Sequence, residues 1–127
     1  RLVINSQLIA NWNEMAFSAS DRVTGVVRSK NPLVFRDGAI LRFTEEIQID
    51  TYNYQIERST YAYRYQQETG YYFMYERDPL RARREDGTLR EDHPELHLHV
   101  TNDAPRYMTH KTSFEEVFRF IVSCFYP

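Results

Sequence analysis

The sequence predicts an α+β fold in which an antiparallel, aromatic-rich β-meander sheet is packed by one amphipathic C-terminal helix. Three observations support this prediction. Tyr61, Tyr63 and Tyr65 recur at every second position, which is the period of a strand. Asp37-Gly38 lies between two apolar runs, and this arrangement is the strongest short-range signal of a β-hairpin. The segment after Ser113 instead has apolar residues at the spacing of a helix.

The first half of the chain supplies the first strands of this sheet. Residues 2–12 form either a short helix or an edge strand, because their apolar residues fit a helical face while the Asn and Ser residues between them are poor helix formers. Residues 23–27 predict a valine-rich strand, which Asn31-Pro32 ends. In residues 41–49 apolar and polar residues alternate, so this segment is predicted to be a longer strand.

The second half continues the meander and then breaks it. Residues 71–76 are mostly apolar or aromatic and run back from the tyrosine strand, because short connections favour neighbouring antiparallel strands. Residues 77–95 are rich in Arg and acidic residues and contain two Pro and one Gly, so we expect a long charged loop that is either functional or disordered. Residues 97–100 predict another short strand, and residues 106–110 are a candidate for a further one.

The C-terminal helix is the most clearly predicted element. Ser113 and Glu116 form a capping box, in which each side chain reaches the backbone N–H of the other residue. The apolar stripe that would cover the sheet consists of Phe114, Val117, Phe118, Ile121 and Phe125. Cys124 lies on the same helix, and we expect it to be a buried structural thiol.

Composition and charge indicate one soluble domain, residues 1–127, in the cytoplasm. The formal net charge of −2 argues against a generic DNA coat protein or a polybasic membrane binder, since both need an excess of Lys and Arg. A single cysteine cannot form an intramolecular disulfide and fits a reducing compartment. No segment approaches the roughly 20 apolar residues that a membrane span requires.

A pair of histidines is the first candidate for chemistry. On a strand His97 and His99 share a face, so the two imidazoles can act as general acid and base near neutral pH or bind a metal. His93 and His110 are able to join them in space. No cysteine cluster or HExxH helix supplies further metal ligands, so the sequence favours a site with no metal and no cofactor. A solvated or structural pair stays open as well.

The tyrosine strand and its neighbours are the second candidate. Alternate tyrosines on an open sheet face can stack RNA bases, although a core of amphipathic rings explains the same pattern. Arg64 lies on the opposite face of that strand and either binds phosphate or pairs with an acid. Glu45 falls on an otherwise apolar face, where it has either a structural partner or a raised pKa. Arg81 to Arg84 form a basic patch that nearby acids are able to neutralise.

Four short motifs in chain order resemble the TumE-like toxin family of prokaryotic type II toxin–antitoxin modules, over about residues 33–121. They are Asp37-Gly38-Ala39 with Leu41 and Glu45, then Tyr61-Ala62-Tyr63-Arg64-Tyr65-Gln66, then Met74-Tyr75-Glu76-Arg77 with Pro79, and finally His97-Leu98-His99 before the helix. The resemblance implies a toxin, a cognate antitoxin that is often a helix-turn-helix protein, and an activity directed at RNA.

The sequence also departs from the family pattern. Met74 and Glu76 stand where the family has Arg and Asp, and Arg64 stands where the family has a strand histidine. The charged loop after Pro79 is longer than in the family. If these positions carry the activity, this member is altered or inactive.

The leading hypothesis is a metal-independent, ribonuclease-like toxin. His97 and His99 act as acid and base, Arg64 clamps phosphate, and Tyr63 and Glu45 position these groups. The residues predicted to contact nucleic acid are Tyr61, Tyr65, Arg77, Arg83 and Arg84.

The predicted partners are an antitoxin and RNA, with no membrane, and a homo-oligomer is compatible with the sequence. Two alternatives stay open. One is a non-catalytic module that binds protein or nucleic acid through the aromatic face and the arginine loop. The other is a small metalloprotein that uses His93, His97 and His99.

Overall fold

A computed structural model describes residues 8–12, 22–29, 31–50, 52–100 and 105–127. Within these residues it contains eight strands and one helix. The elements are β1 (Leu8–Trp12), β2 (Arg22–Ser29), β3 (Leu33–Val34), β4 (Ile40–Asp50), β5 (Ile56–Gln66), β6 (Tyr72–Arg77), β7 (Leu96–His99), β8 (Tyr107–Met108) and α1 (Phe114–Phe125). The predicted α+β class is confirmed.

The strands form one antiparallel sheet in the order β1-β2-β4-β5-β6-β7-β8, and β3 pairs with the start of β4. Strands β4 to β7 are therefore sequential neighbours, as a meander requires. β1 lies at one end of this order, so the edge-strand alternative for residues 2–12 is confirmed for residues 8–12. Residues 2–7 lie outside the described part of the chain.

The core lies between one face of this sheet and α1. Alternation along β5 places Tyr61, Tyr63 and Tyr65 on this face, where all three are buried. Val117 and Ile121 meet them from the helix and are buried as well. The other core residues are Leu33, Phe35, Ala39, Leu41, Phe43 and Phe73. We refer to this side of the sheet as the helix face and to the other side as the histidine face.

The predicted Asp37-Gly38 hairpin is present between β3 and β4. Gly38 has φ +85°, a conformation that L-residues with a side chain rarely adopt. The Asp37 carboxylate accepts a hydrogen bond from the backbone N–H of Ala39 at 3.1 Å. The backbone N–H of Phe35 also donates to the Ala39 carbonyl at 2.9 Å, which closes the turn.

The N-terminus of α1 has one half of the predicted capping box. The backbone N–H of Glu116 donates to the Ser113 hydroxyl at 3.2 Å. The Glu116 carboxylate, however, accepts a hydrogen bond from the Thr112 hydroxyl at 3.3 Å. Thr112 is itself held to the sheet, because its backbone N–H donates to the Tyr61 hydroxyl at 3.1 Å. The helix start is thus fixed to β5 as well as capped locally.

Replacing Ser113 with Ala should lower the free energy of unfolding by about 1 kcal/mol, because one backbone N–H at the helix start loses its acceptor. Urea denaturation followed by circular dichroism measures this difference. Ser123→Ala is the matched control, since Ser123 is exposed within the same helix and Ala favours helix. Equal stabilities of the two variants would contradict the capping role.

One expectation about the second half of the chain is wrong, and another is confirmed. Cys124 is exposed, so the prediction of a buried thiol is wrong. The physical reason is that Phe125, four residues after the buried Ile121, takes the position that packs on the core. The charged loop predicted over residues 77–95 is confirmed for 78–95, since Arg77 ends β6. This loop has its own backbone pairing, in which Arg83 and Leu89 form an isolated bridge and Ala82 is buried.

Among the described residues, no helix combines the length and the apolar character that a membrane crossing requires.

Candidate functional site

The two predicted histidines project from β7 on the histidine face of the sheet. His97 is fully buried and His99 is 7% exposed, while Leu98 between them packs against the core on the helix face. A two-residue spacing on a strand places side chains on the same side. The Nε2 atoms of His97 and His99 lie 2.9 Å apart. The structure therefore brings the two imidazoles into direct contact.

Glu76 completes this cluster, and the sequence analysis did not single it out as a site residue. Glu76 on β6 is the register partner of His97 on β7, and directly opposed residues share a face. Its Oε2 atom lies 3.3 Å from Nε2 of His97 and 3.1 Å from Nε2 of His99. Three potential ligand atoms thus converge on one point. We call Glu76, His97 and His99 the reactive cluster.

The orientation of His97 is fixed by the backbone of the preceding loop. Its Nδ1 atom lies 2.7 Å from the Pro94 carbonyl oxygen. Because a carbonyl oxygen can only accept, the proton must be on Nδ1. Nε2 is therefore the ring nitrogen that is directed at Glu76 and His99.

The charges within the cluster follow from this geometry and from burial. The contact with His97 is the largest influence on Glu76 and lowers the pKa of its carboxyl, against the opposing effect of partial burial. Burial, followed by the neighbouring His97, lowers the pKa of the His99 imidazole. Near neutral pH the cluster therefore contains an ionised Glu76 and a neutral His99.

The other two histidines lie outside the reactive cluster. His93 is buried beside His97, with their ring centroids 4.8 Å apart, but its nitrogen atoms do not converge with the three ligand atoms. Burial, then the charge of Arg106, lowers the pKa of His93. His110 is on the other side of the sheet, against the ring of Tyr75. Of the predicted ligand set of His93, His97 and His99, the structure therefore brings together the ligand atoms of His97 and His99, and it adds Glu76 to them.

Arginines lie on the same face as the reactive cluster. One row of register partners crosses four adjacent strands on this face. It consists of Arg42, Arg64, Met74 and His99. The Arg64 guanidinium donates to the Gln66 amide oxygen at 3.2 Å and lies 4.9 Å from the centre of the Tyr72 ring.

A second row joins Arg28 to the cluster. It runs from Arg28 through Thr44 and Ala62 to Glu76 and His97. Arg28 and Arg42 are exposed. In the described part of the chain, no acid forms an ion pair with Arg28, Arg42 or Arg64.

A cleft of about 350 Å³ opens beside Glu76. Thr44 and Ala62 line its floor on the sheet, and Leu80 and Arg81 line its wall in the loop after β6. The cleft gives solvent access to Glu76, whose side chain is 23% exposed. A ligand can therefore reach the edge of the cluster from this side.

The tyrosines predicted to stack bases lie in the core beneath α1. Tyr65 packs against Phe35, Phe73 and Phe125 with ring-centroid separations of 5.2–5.7 Å. Tyr61 stacks on Tyr63 at 4.8 Å. Their burial favours the core interpretation that the sequence left open, because buried rings present no face to a base.

Glu45 and Tyr63 are likewise on the helix face, so the sheet separates them from the histidines. Glu45 forms an ion pair with Arg58, which is the structural pairing that the sequence allowed. Burial, followed by the negative charge of Glu45, raises the pKa of the Tyr63 hydroxyl. Of the predicted catalytic set, only Arg64 shares the face of His97 and His99.

The arginines predicted to contact nucleic acid are bonded within the fold. Arg77 donates to the Arg58 carbonyl at 2.7 Å. Arg83 donates to the Gly87 carbonyl at 2.9 Å, and Arg84 donates to the Leu89 carbonyl at 2.7 Å. Arg83 and Arg84 thus hold the turn of the charged loop, although both remain exposed.

Sequence comparison agrees with the resemblance that the motifs indicate. The family model described as Toxin TumE matches residues 1–124, a longer stretch than the motifs alone cover. Comparison with curated proteins and with solved structures gave no match. The matched span includes every strand described above and nearly all of α1, together with the whole reactive cluster. The chain belongs to the TumE family of toxins.

Proposed function

We propose that the chain is a toxin that cleaves RNA, with Glu76, His97 and His99 as its reactive centre. The single observation that carries the proposal is the convergence of two imidazoles and a carboxylate on the sheet face that also bears Arg28, Arg42 and Arg64. The first set can transfer protons, and the second can bind phosphate.

RNA carries the nucleophile for its own cleavage. The 2′-oxygen attacks the adjacent phosphorus while a base takes its proton, and an acid protonates the departing 5′-oxygen. The products are a 2′,3′-cyclic phosphate and a free 5′-hydroxyl. Neutral His99 is suited to be the base, since Glu76 at 3.1 Å stabilises the imidazolium that forms. The departing 5′-oxygen receives its proton from the same pair of imidazoles, because the 2.9 Å contact lets His97, oriented by Pro94, relay a proton to and from His99.

The arginine rows support a nucleic-acid substrate. Arg42 and Arg64 are directly opposed on neighbouring strands, and like charges in that position repel each other. A phosphate between them removes this repulsion and forms charge-assisted hydrogen bonds. Adjacent strands are about 4.8 Å apart, so Arg64 is roughly 10 Å from the backbone of His99. That distance is within reach of one nucleotide and an extended arginine side chain.

The proposal gives the remaining predicted residues supporting roles. These residues lie on the helix face, where they stabilise the sheet, so they contribute to activity only through the stability of the fold. They are Tyr61, Tyr63, Tyr65 and Glu45. A toxin of this kind requires neutralisation in its host, and we infer a cognate antitoxin as its protein partner.

The test is induced expression of the wild-type chain and of His99→Gln in a bacterial host, with growth and total RNA integrity as readouts. We expect the wild type to arrest growth with RNA decay. His99→Gln should abolish both, because Gln keeps a polar side chain but cannot take a proton. His110→Gln is the matched control and should behave as the wild type, since His110 is exposed on the other side of the sheet.

Growth arrest with intact RNA would refute the RNA proposal. Arrest and RNA decay that persist in His99→Gln would remove the reactive cluster from the mechanism.

A further inference from the structure

We propose that Glu76, His97 and His99 bind one divalent transition-metal ion such as Zn²⁺, because their ligand atoms form one face of a coordination tetrahedron. The inference concerns the same side chains as the proposed RNA cleavage. It does not depend on RNA being the substrate.

The distances between the ligand atoms match those in a metal site. Zn–N and Zn–O bonds of about 2.0–2.1 Å place neighbouring ligands of a tetrahedral ion about 3.3–3.4 Å apart. The three separations in the cluster are 2.9, 3.1 and 3.3 Å. Side-chain shifts of a few tenths of an ångström therefore suffice to admit the ion.

The protons available do not account for all three contacts. Each imidazole can place at most one proton on its Nε2 atom, and an ionised carboxylate has none to give. At most two protons are therefore available for three contacts of 2.9, 3.1 and 3.3 Å, so one pair of atoms has no proton between them. A cation at the centre satisfies all three acceptors together.

The groups that contact the cluster are of the kind found around metal-binding histidines. A histidine ligand commonly donates its second ring N–H to a backbone carbonyl, and this bond fixes the imidazole for coordination. His97 has that bond to Pro94 and is fully buried. Two imidazoles with one carboxylate favour a first-row transition ion over Mg²⁺, which prefers oxygen ligands.

Three protein ligands leave a fourth position for water or substrate, which is typical of a catalytic zinc site. The cleft beside Glu76 is the route to that position. A metal bound here would supply a hydroxide as the base in place of His99 by lowering the pKa of a water in the fourth position, and the site and the substrate class would be unchanged. This inference differs from the expectation of a metal-independent toxin, which was made without Glu76.

Zn²⁺ binding is tested on the purified full chain after dialysis against a chelator. Isothermal titration should give one Zn²⁺ per chain, and free Zn²⁺ at 100 times the Kd should raise Tm by about 10 °C. Mg²⁺ should give no such rise. Glu76→Gln and His99→Gln should each weaken Zn²⁺ binding by at least about 100-fold, whereas His110→Gln should bind as the wild type.

A wild-type measurement keeps the test decisive if a variant fails to fold. In NMR spectra of the imidazole nitrogens, Zn²⁺ should shift the signals of His97 and His99 and leave those of His110 unchanged. Absence of stoichiometric binding, or equal Zn²⁺ affinity in wild type, Glu76→Gln and His99→Gln, would overturn the proposal.

The two proposals fail in different ways. One bound Zn²⁺ that shifts His97 and His99, with RNA left intact, would keep the metal site and reject RNA as substrate. RNA cleavage by the chelator-treated protein, with no Zn²⁺ bound on titration, would reject the metal site and keep the ribonuclease.

Discussion

Glu76→Gln in the purified protein is expected to slow RNA cleavage about 100-fold or more, which is the usual size of a general acid–base contribution. Gln has the shape of Glu but no charge. It therefore cannot stabilise an imidazolium on His99, 3.1 Å away, and it is a poor ligand for a metal ion. Gel analysis of a single-stranded RNA substrate measures the rate, and circular dichroism verifies the fold of the variant.

Glu46→Gln is the matched control for this experiment. Glu46 is an exposed acid on the same face of the sheet, so its substitution changes the net charge by the same amount. We expect its cleavage rate to stay close to that of the wild type. A Glu76→Gln protein as active as Glu46→Gln would show that the carboxylate has no part in the reaction.

Tyr65→Ala is expected to lower the free energy of unfolding by about 3–5 kcal/mol, as other large-to-small aromatic substitutions in cores do. Its ring is fully buried against Phe35, Phe73 and Phe125. Its hydroxyl is hydrogen-bonded to that of Tyr126 at 3.0 Å. Thermal denaturation should show a Tm lower by roughly 10–20 °C.

Two controls separate packing from other effects of this substitution. Tyr65→Phe keeps the ring and should cost only about 2 kcal/mol for the two lost hydrogen bonds, to the Tyr126 hydroxyl and the Gln67 side-chain amide. Tyr52→Ala removes a ring that is 80% exposed and should change stability by less than about 0.5 kcal/mol. If Tyr65→Ala were no less stable than Tyr52→Ala, the tyrosine face would not be the core, and base stacking would again explain the pattern.

Features specified by neighbours in the chain were predicted from the sequence. The Asp37-Gly38 turn depends on two adjacent residues that tolerate unusual backbone angles. The cap at Ser113 depends on a residue three positions away. The shared face of His97 and His99 depends on the two-residue period of a strand. Each of these signals lies within a few residues, so no knowledge of the folded chain is needed to interpret it.

Features that depend on distant residues were missed or left open. Glu76 and His97 are 21 positions apart in the chain, and only the pairing of β6 with β7 makes them opposite neighbours. Alternation in β5 showed that the tyrosines share a face, but not which face the helix covers. The same limitation explains Cys124, because the sequence defines an apolar stripe on α1 while the docking of the helix decides which residues near its end are buried.

The sequence by itself determined the α+β class, the hairpin, the capped helix and the family to which the chain belongs, because periodicity, turn chemistry and short motifs are local properties. The tertiary structure decided the composition of the reactive cluster. Strand register placed the Glu76 carboxylate beside the two imidazoles, and the loop before β7 supplied the Pro94 carbonyl that orients His97. Register is fixed by the packing of the whole sheet, so the site emerges only once the chain has folded.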